Sequence, residues 1–371
     1  MRVLIAGHAL SAMGGVQSSE RDLARWLLAH GHSPVVYATE LGDAAREFDR
    51  YTIPVVDDLA RVAAPIDIIH GDSAMETMAA LLHFPGVPAI FVCHGWGGLE
   101  RSTPHFPRIR RYVAVDDTCA DRLQLREAIE PEKLSVLLNA VDVQTFPQRA
   151  PLPPRPRRAV VFNNSAHELT SLPAIREACR RAEIDVDVIG GFAGTASRDP
   201  QSVLGQYDLA FARAKCAIEA LACGLAVIVC DAPGVGGMVR SAELDRFRRL
   251  NFGIRTLQKP LSAEVLLAEL ALYDADDARV VSNRIRETAA SDLLHESLFA
   301  LYESVIDEHV PIDPLAESRA AAAFLQQLAD QVRNRDGRIW SLAHASQRAL
   351  EMPVIGPLAT RVLRRLLRPR R

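Results

Sequence analysis

The stretch DLAFARAKCAIEALACGLAVIVCD, residues 208–231, decides the fold class of this chain. Two apolar runs enclose an alanine-rich helical pattern, and Gly224 stands where the helix must stop. This order predicts a buried strand, a helix and a second buried strand, which is the repeating unit of a parallel sheet covered on both faces. The packing of such a unit does not require the charges of Arg213, Lys215 and Glu219, so we expect them to serve a ligand.

The same alternation of strand and helix continues on both sides of this stretch. Apolar runs such as RVLIAG at 2–7 and AVVFNNS at 159–165 each end in a polar or glycine-rich loop. Between them, FPQRAPLPPRPRR at 146–158 contains five prolines, so it can form neither a helix nor a central strand. We therefore predict an α/β protein with two similar domains, a stiff linker between them, and a site at the carboxyl ends of the strands.

Composition and charge exclude several classes of protein. A net charge of -3 over 371 residues provides no basic field that would attract nucleic acid, and this length suits two domains. Six scattered cysteines without a C-x-x-C pair argue against a disulfide framework or a zinc site and favour a reducing compartment. The N-terminal apolar run is too short for a signal peptide, and no run approaches the ~20 apolar residues of a spanning helix. The expected location is the cytoplasm.

A strand followed by a helix places the free N–H groups of the helix N-terminus at the rim of the sheet, where they attract phosphate. Arg213 and Lys215 would add positive charge there, and Glu219, one or two turns into the helix, would accept hydrogen bonds from ribose hydroxyls. These three residues predict a nucleotide site. The alternative is structural, with Glu219 partly exposed and paired with Lys215, and with the two cations in a solvated turn.

Glycine and histidine mark two further strand ends. Gly14 and Gly15 precede an amphipathic helix, so their N–H groups can approach a diphosphate or an acceptor, unless they form only a tight turn. His94 ends the run AIFVCHG and is followed by glycines that let a ligand approach the backbone; the alternative is a core histidine. His70, at the end of the preceding strand, is expected to be structural.

The C-terminal part of the chain is predicted to be helical from about Asp274. Its last eleven residues, 361–371, contain six arginines interleaved with valine and leucine. Such a basic amphipathic segment suits an anionic membrane surface, which would make the protein peripheral at the inner face of the membrane. A solvated or partner-binding helix is the alternative.

Six segments within the first 305 residues occur in one recognisable order. They are AMGGVQSSERDLARWLLAHGHSPVVYA, PIDIIHGD, FVCHGW, RRYVAVDDTCADRL, LLNAVDVQTF and AIEALACGLAVIVCDAPGVGGMV. In this order they resemble the glycine-rich first loop with the helix after it, a strand that ends in histidine, the loop that carries the active-site histidine, the strand before the interdomain region, the end of the first domain, and the donor-site motif of GT-B glycosyltransferases, especially family 4. The resemblance implies two Rossmann-like domains (GT-B) with a donor cleft between them and a helical C-terminal extension.

The resemblance also implies roles for individual residues. Glu219 matches the second glutamate of the motif, which binds the donor ribose, and His94 matches the active-site histidine near the donor sugar. Arg213 and Lys215 would stabilise the charge on the leaving diphosphate. The expected catalytic residues are therefore His94, Arg213 and Lys215. The expected donor-binding residues are Gly14, Gly15, Glu219, Asn163 and Ser165, and no metal ligand is expected.

The chain departs from the family pattern at two places. Phe211 stands where the motif has its first glutamate, which contacts the donor hexose, so the identity of the sugar and the standard mechanism stay open. The first loop of the second domain, FNNSAHELTSL, lacks the arginine and lysine that usually hold the diphosphate. We infer that Arg213 and Lys215 substitute for them, and that Asn163 and Ser165 add polar contacts.

By this resemblance the chain comprises an acceptor-side domain at 1–147, a linker at 148–158, a donor-nucleotide domain at 159–309 and a basic helical extension at 310–371. The implied activity is transfer of a sugar from a nucleoside-diphosphate sugar to a hydroxyl of a glycan, lipid-linked or metabolite acceptor, with retention of configuration and without metal or other cofactor. The expected partners are that donor, that acceptor and an anionic membrane surface, but not nucleic acid. The alternatives are a non-catalytic sugar-nucleotide-binding subunit and a sugar-nucleotide epimerase of the same fold.

Overall fold

The computed structural model describes residues 1–7, 9–62, 65–96, 102–195, 197, 199–308 and 311–351, with side chains up to residue 334. The chain divides into two compact units. The larger unit comprises residues 1–104 and 108–312 and contains both β-sheets, whereas the smaller comprises residues 105–107 and 313–371. Both halves predicted from the alternating pattern therefore lie within the larger unit.

The first half of the larger unit is built on a seven-stranded parallel sheet. Its strands are β1 (Arg2–Ala6), β2 (Ser33–Tyr37), β3 (Val55–Val56), β4 (Ile68–Gly71), β5 (Ala89–Cys93), β6 (Ile109–Ala114) and β7 (Leu134–Val136). They lie in the order β3-β2-β1-β4-β5-β6-β7, and each neighbouring pair is parallel. The α-helices of this half are α1 (Gly15–Ala29), α2 (Ala45–Asp49), α3 (Ala74–His83) and α4 (Asp117–Asp121).

The second half contains a five-stranded sheet. Its strands are β8 (Arg158–Phe162), β9 (Asp185–Ile189), β10 (Leu209–Ala212), β11 (Ala226–Asp231) and β12 (Gly234–Met238). They lie in the order β12-β11-β10-β8-β9, and only the pairing of β12 with β11 is antiparallel. The α-helices are α5 (Leu172–Arg181), α6 (Gln201–Leu204), α7 (Ala214–Ala222), α8 (Leu244–Arg249), α9 (Ala263–Leu270), α10 (Ala275–Thr288) and α11 (Ser291–Asp307). The predicted α/β architecture with two sheets is confirmed.

Alternate residues of β10 enter two separate apolar cores, one on each face of the second sheet. Ala210 and Ala212 pack into one core, while Leu209 and Phe211 pack into the other. This alternation explains why the strand is apolar throughout, since neither face meets water. Phe211, at the position of the missing glutamate, is fully buried and serves as a core residue.

Backbone conformation defines both ends of α7. Gly224 follows the helix with φ of 88°, a left-handed conformation that favours glycine, so the predicted helix stop is confirmed. At the other end Arg213 is extended and Ala214 has φ of 49°, which costs an alanine about 1 kcal/mol. The N–H of Ala214 donates to the carbonyl oxygen of Phe252 at 3.1 Å, which holds this turn in place.

The proline-rich segment packs against the second half of the larger unit, whereas α11, the last helix of that unit, contacts the first half. Leu152 enters a core of the second half, and the guanidinium of Arg149 donates to Asp208 at 2.9 Å, so the segment is anchored along that half. In α11, by contrast, the ring of His295 lies 5.8 Å from the ring of Trp26 in α1. The chain thus returns to the first half before the larger unit ends, and the predicted domain boundaries stay a prediction.

The smaller unit contains one long helix, α12 (Pro314–Glu351), within the part of the chain that was predicted to be helical. The arginine-rich segment 361–371 lies outside the described residues. Within the described ranges, no helix is both long and apolar enough to cross a membrane.

Candidate functional site

The start of α1 in the first half meets the start of α7 in the second. The Nζ atom of Lys215 donates to the hydroxyl of Ser19 at 3.2 Å and lies 3.4 Å from Oδ2 of Asp22. A Cβ atom placed on Gly15 would lie 3.7 Å from Cβ of Lys215, which is van der Waals contact, so the backbone at Gly15 lies close to the lysine. Gly14 precedes α1 as its extended N-cap residue. Three residues predicted for the site, the two glycines and the lysine, are thus brought together.

Asp22 is mostly buried and lies between two cations. Burial by itself would raise the pKa of this carboxyl, but Lys215 and Arg21 outweigh burial and lower the pKa. The Arg21 guanidinium lies 2.8 Å from Oδ1 of Asp22. Asp22 is therefore ionised at neutral pH and offsets part of the charge of Lys215. Sequence reasoning missed Ser19 and Asp22, although positions 15, 19 and 22 share one face of a helix.

Glu219 lies one turn after Lys215 in α7 and is 7% exposed. Burial raises the pKa of its carboxyl to about 7; Lys215 opposes this rise, and Asp22 adds to it. The structural alternative of a partly exposed Glu219 paired with Lys215 does not describe the protein, because the ammonium group bonds to Ser19 and Asp22 instead. A buried carboxyl that titrates near neutrality and faces charges of the other half is a functional-site candidate.

Arg213 turns away from Lys215 and joins a cluster at the carboxyl ends of β8, β10 and β11. Its guanidinium forms an ion pair with Asp231, and its side chain is 38% exposed. The hydroxyl of Ser165 lies 3.1 Å from Oδ2 of Asp231 and 2.8 Å from Oδ1 of Asn163. Arg213, Asn163 and Ser165 therefore lie close together and are linked through Asp231. Sequence reasoning missed this aspartate, although a carboxylate that ends an apolar strand was a visible signal.

A histidine–carboxylate network lies at the carboxyl ends of β4 and β5. Nε2 of His94 is 2.7 Å from Oδ1 of Asp72, and Nε2 of His70 is 3.2 Å from Oδ2 of the same carboxylate. The hydroxyl of Tyr302 in α11 lies 2.6 Å from Nδ1 of His70. Burial by itself would raise the pKa of Asp72, but His70 and His94 lower it well below its usual range. Asp72 is thus a carboxylate shared by two imidazoles. Sequence reasoning did not identify it as a site residue.

His94 and Lys215 line the same cavity, which has a volume of about 50 Å³. The other polar side chains in its wall are Ser19, Glu20, Asp22, His70, Asp72, Asn139, Ser291 and His295. This volume holds a few water molecules and is far below the ~300 Å³ at which pockets for whole small-molecule ligands begin. The cavity therefore marks where predicted residues of the two halves converge, and it does not enclose a nucleotide sugar.

His295 in α11 is a further residue of this cavity, and it is 5% exposed. Its Nδ1 atom is buried without a hydrogen-bond partner among the described residues. Burial lowers the pKa of His295 to about 4, so the imidazole is neutral at pH 7. The sequence around it, SDLLHESLF, carries no local signal of such a position.

No group of three or more His, Cys, Asp or Glu side chains in the described parts of the chain is arranged to hold a metal ion.

The residues predicted for the site form two groups in the structure. Gly14, Gly15, Lys215 and Glu219 lie where α1 meets α7, with His94 reached through the cavity, whereas Arg213, Asn163 and Ser165 surround Asp231.

The sequence profile of Glycosyltransferase Family 4 matches residues 13–145. No curated protein sequence matches the chain. The matched range includes Gly14, Gly15 and His94, and it ends just before the proline-rich segment.

Several solved structures resemble this one. A glycosyltransferase from Rickettsia africae has a TM-score of 0.59 at 13% identity, covering 83% of this chain and 99% of that chain. Alr3699/HepE from Anabaena, in complex with UDP and glucose, has a TM-score of 0.57 at 12% identity, covering 82% and 100%. A putative UDP-N-acetylglucosamine 2-epimerase from Listeria monocytogenes has a TM-score of 0.50 at 14% identity, covering 84% and 98%. At these identities the likeness shows the fold, which is GT-B.

Proposed function

We propose that the protein transfers a sugar from a nucleoside-diphosphate sugar to a hydroxyl of a glycan, lipid-linked or metabolite acceptor. The premise is that residues 13–145 match the Glycosyltransferase Family 4 profile in a chain of GT-B fold. One observation carries the proposal. Lys215 at the start of α7 reaches Ser19 and Asp22 in α1, and the buried Glu219 lies one turn further along α7. A cation and a carboxylate are thus held one helical turn apart where the two halves meet.

The donor diphosphate binds beside the N-terminus of α7, where Lys215 supplies positive charge from the side of α1 and Arg213 supplies it from the side of Asp231. Lys215 exchanges its contact with Asp22 for a phosphate oxygen. Glu219 accepts hydrogen bonds from the ribose hydroxyls. The complex of the Anabaena relative with UDP and glucose supports a donor of this class. Asn163 and Ser165 contribute polar contacts on the side of Asp231.

Charge grows on the diphosphate as the glycosidic bond breaks, and the cations stabilise it. Because the side chains of Lys215 and Arg213 provide the positive charge, the reaction proceeds without a metal ion. The leaving phosphate then accepts the proton of the attacking hydroxyl on the same face of the sugar, which retains the anomeric configuration. His94 holds a hydroxyl of the reacting sugars in position from the β5 side of the cleft.

A non-catalytic sugar-nucleotide-binding subunit is the second candidate. Phe211 is fully buried in a core, so no carboxylate contacts the donor hexose from that position. The loop after β8 carries no cation between Asn163 and Ser171. Both departures from the family pattern favour a chain that does not turn over the sugar nucleotide.

The acceptor side includes a proposed membrane contact. The arginine-rich segment 361–371 binds an anionic lipid surface at the cytoplasmic face, with each arginine contributing about 1 kcal/mol. This contact keeps a peripheral enzyme close to a lipid-linked acceptor.

The proposal is tested by incubating the full chain with a panel of UDP-, GDP- and ADP-sugars, first alone and then with candidate acceptors. Slow release of nucleoside diphosphate without acceptor, accelerated by an acceptor, supports the transferase. Thermal stabilisation by nucleotides without any release supports the binding subunit. Conversion of the sugar without release of nucleotide identifies an epimerase, and the absence of both binding and release overturns the proposal.

A further inference from the structure

Hydrogen bonds among Tyr302, His70 and Asp72 have a single direction. Tyr302 is fully buried, and burial together with Asp72 raises the pKa of its hydroxyl well above the usual value, so the hydroxyl keeps its proton. The tyrosine O–H can therefore donate, and Nδ1 of a neutral His70, whose Nε2 proton faces the Asp72 carboxylate, accepts this hydrogen bond at 2.6 Å. A carboxylate only accepts, so the proton on Nε2 of His70 points to Oδ2 of Asp72 at 3.2 Å.

His94 bonds to the remaining oxygen of the same carboxylate. Its Nε2 lies 2.7 Å from Oδ1 of Asp72, so this nitrogen carries a proton and donates it to the carboxylate. In a neutral imidazole the other nitrogen, Nδ1, is then a hydrogen-bond acceptor. The carboxylate holds this arrangement firmly, because Asp72 is itself buried and bonded on both oxygens.

We infer that Asp72 is a positioning residue that fixes the tautomer of His94, so that Nδ1 accepts a hydrogen bond from a sugar hydroxyl in the cleft. This inference rests on the proposed function, which places His94 beside the reacting sugars. His70 and Tyr302 act one step further back, because they hold the second oxygen of Asp72. If Nδ1 carried the proton instead, His94 would present a hydrogen-bond donor to the cleft. It could then not accept a hydrogen bond from the sugar hydroxyl.

The tautomer is measurable without any substrate. We expect the ¹⁵N NMR spectrum of the full chain labelled at histidine to show His94 with a protonated Nε2 and an unprotonated Nδ1, the resonances being assigned by loss in His94→Gln. In Asp72→Asn the amide NH₂ donates to Nε2 and should move the proton to Nδ1. A wild-type His94 protonated on Nδ1 alone overturns the inference.

Kinetics then separate positioning from folding. Asp72→Asn should lower kcat at least tenfold while the Kd for UDP, GDP or ADP, whichever binds the wild type, changes less than threefold. The matched control is Asp116→Asn, because Asp116 is also a buried aspartate after a strand, β6, but it bonds to the backbone N–H of Cys119 and not to a histidine. That control should keep the wild-type kcat.

The outcomes distinguish the two levels of the proposal. If the wild type neither binds nor turns over a nucleotide sugar, the proposed function is wrong. The NMR result still decides the tautomer of His94. A wild type that turns over, together with an unchanged kcat in a folded Asp72→Asn, overturns the role of Asp72 alone. If Asp72→Asn fails to fold, the wild-type tautomer decides.

Discussion

The Nζ atom of Lys215 lies 3.4 Å from Oδ2 of Asp22, so an ion pair joins the start of α7 to α1 across the two halves of the larger unit. Both side chains are mostly buried, and a second bond to Ser19 holds the ammonium group in the same place. A lysine held by a carboxylate and a hydroxyl can exchange these partners for a phosphate group. This relationship makes Lys215 the most informative position for mutation.

Replacing Lys215 with methionine should raise the Kd for the nucleoside diphosphate at least tenfold, because a charge-assisted hydrogen bond of about 1.5–3 kcal/mol is lost. Isothermal titration calorimetry measures this change directly. The control is Lys133→Met, which removes a surface ion pair with Glu130 and should leave Kd within twofold. Equal affinities of wild type and Lys215→Met would remove the lysine from the donor site.

Donor affinity should depend on pH through Glu219. Its carboxyl has a pKa of about 7, and only the ionised form accepts hydrogen bonds from both ribose hydroxyls. The affinity for a nucleotide sugar should therefore rise roughly tenfold between pH 6 and pH 8. Glu219→Gln keeps the size of the side chain and should flatten this dependence, and Glu219→Ala should raise the donor KM at least tenfold. An identical pH profile in wild type and Glu219→Gln would argue against the ribose contact.

Folding stability should depend on the same group with the opposite sign. Because the folded-state pKa of about 7 exceeds the ordinary value of 4.5, the stability contributed by the protonated form is complete below pH 4.5 and is lost as pH rises through 7. Relative to Glu219→Gln, the wild type should lose about 3 kcal/mol of unfolding free energy over this window. Urea denaturation of both proteins between pH 4.5 and pH 8 measures it. A difference that stays constant with pH contradicts the assignment of the raised pKa to Glu219.

Restoring the glutamate of the family motif should fail. Phe211→Glu places a carboxyl inside an apolar core, which we expect to lower the unfolding free energy by more than ~3 kcal/mol or to prevent folding. Phe211→Leu is the control for size alone and should cost about 1 kcal/mol. Thermal denaturation followed by circular dichroism compares them. A stable Phe211→Glu with enhanced activity would show that this strand can turn the side chain into the cleft.

Relieving the backbone at the start of α7 should stabilise the protein. Ala214 has φ of 49°, so Ala214→Gly should raise the unfolding free energy by about 0.5–1 kcal/mol. Ala217→Gly, in the interior of the same helix, should instead lower it by about 1 kcal/mol or more. Denaturant titration distinguishes the two signs. Destabilisation of equal size at both positions would mean that Ala214 is not strained in solution.

The order of strands and helices follows from patterns that are local in the sequence. The apolar runs at 209–212 and 226–231, and the glycine at 224, suffice for the strand–helix–strand unit, because hydrophobic periodicity and helix termination act over a few residues. The same stretch also identifies Lys215 and Glu219 as charges that packing does not require. Both residues lie where the two halves of the larger unit meet.

The partners of those charges depend on the tertiary structure. The two cations at the start of α7 have different partners: Lys215 contacts Asp22, which is 193 residues away, whereas Arg213 contacts Asp231. His70 reads as structural in the sequence, yet it connects Tyr302, 232 residues away, to Asp72. Burial raises the pKa of Glu219, and Asp22, which lies in the other half, adds to that rise. These properties depend on which elements meet in space, and no local pattern of residue types carries that information.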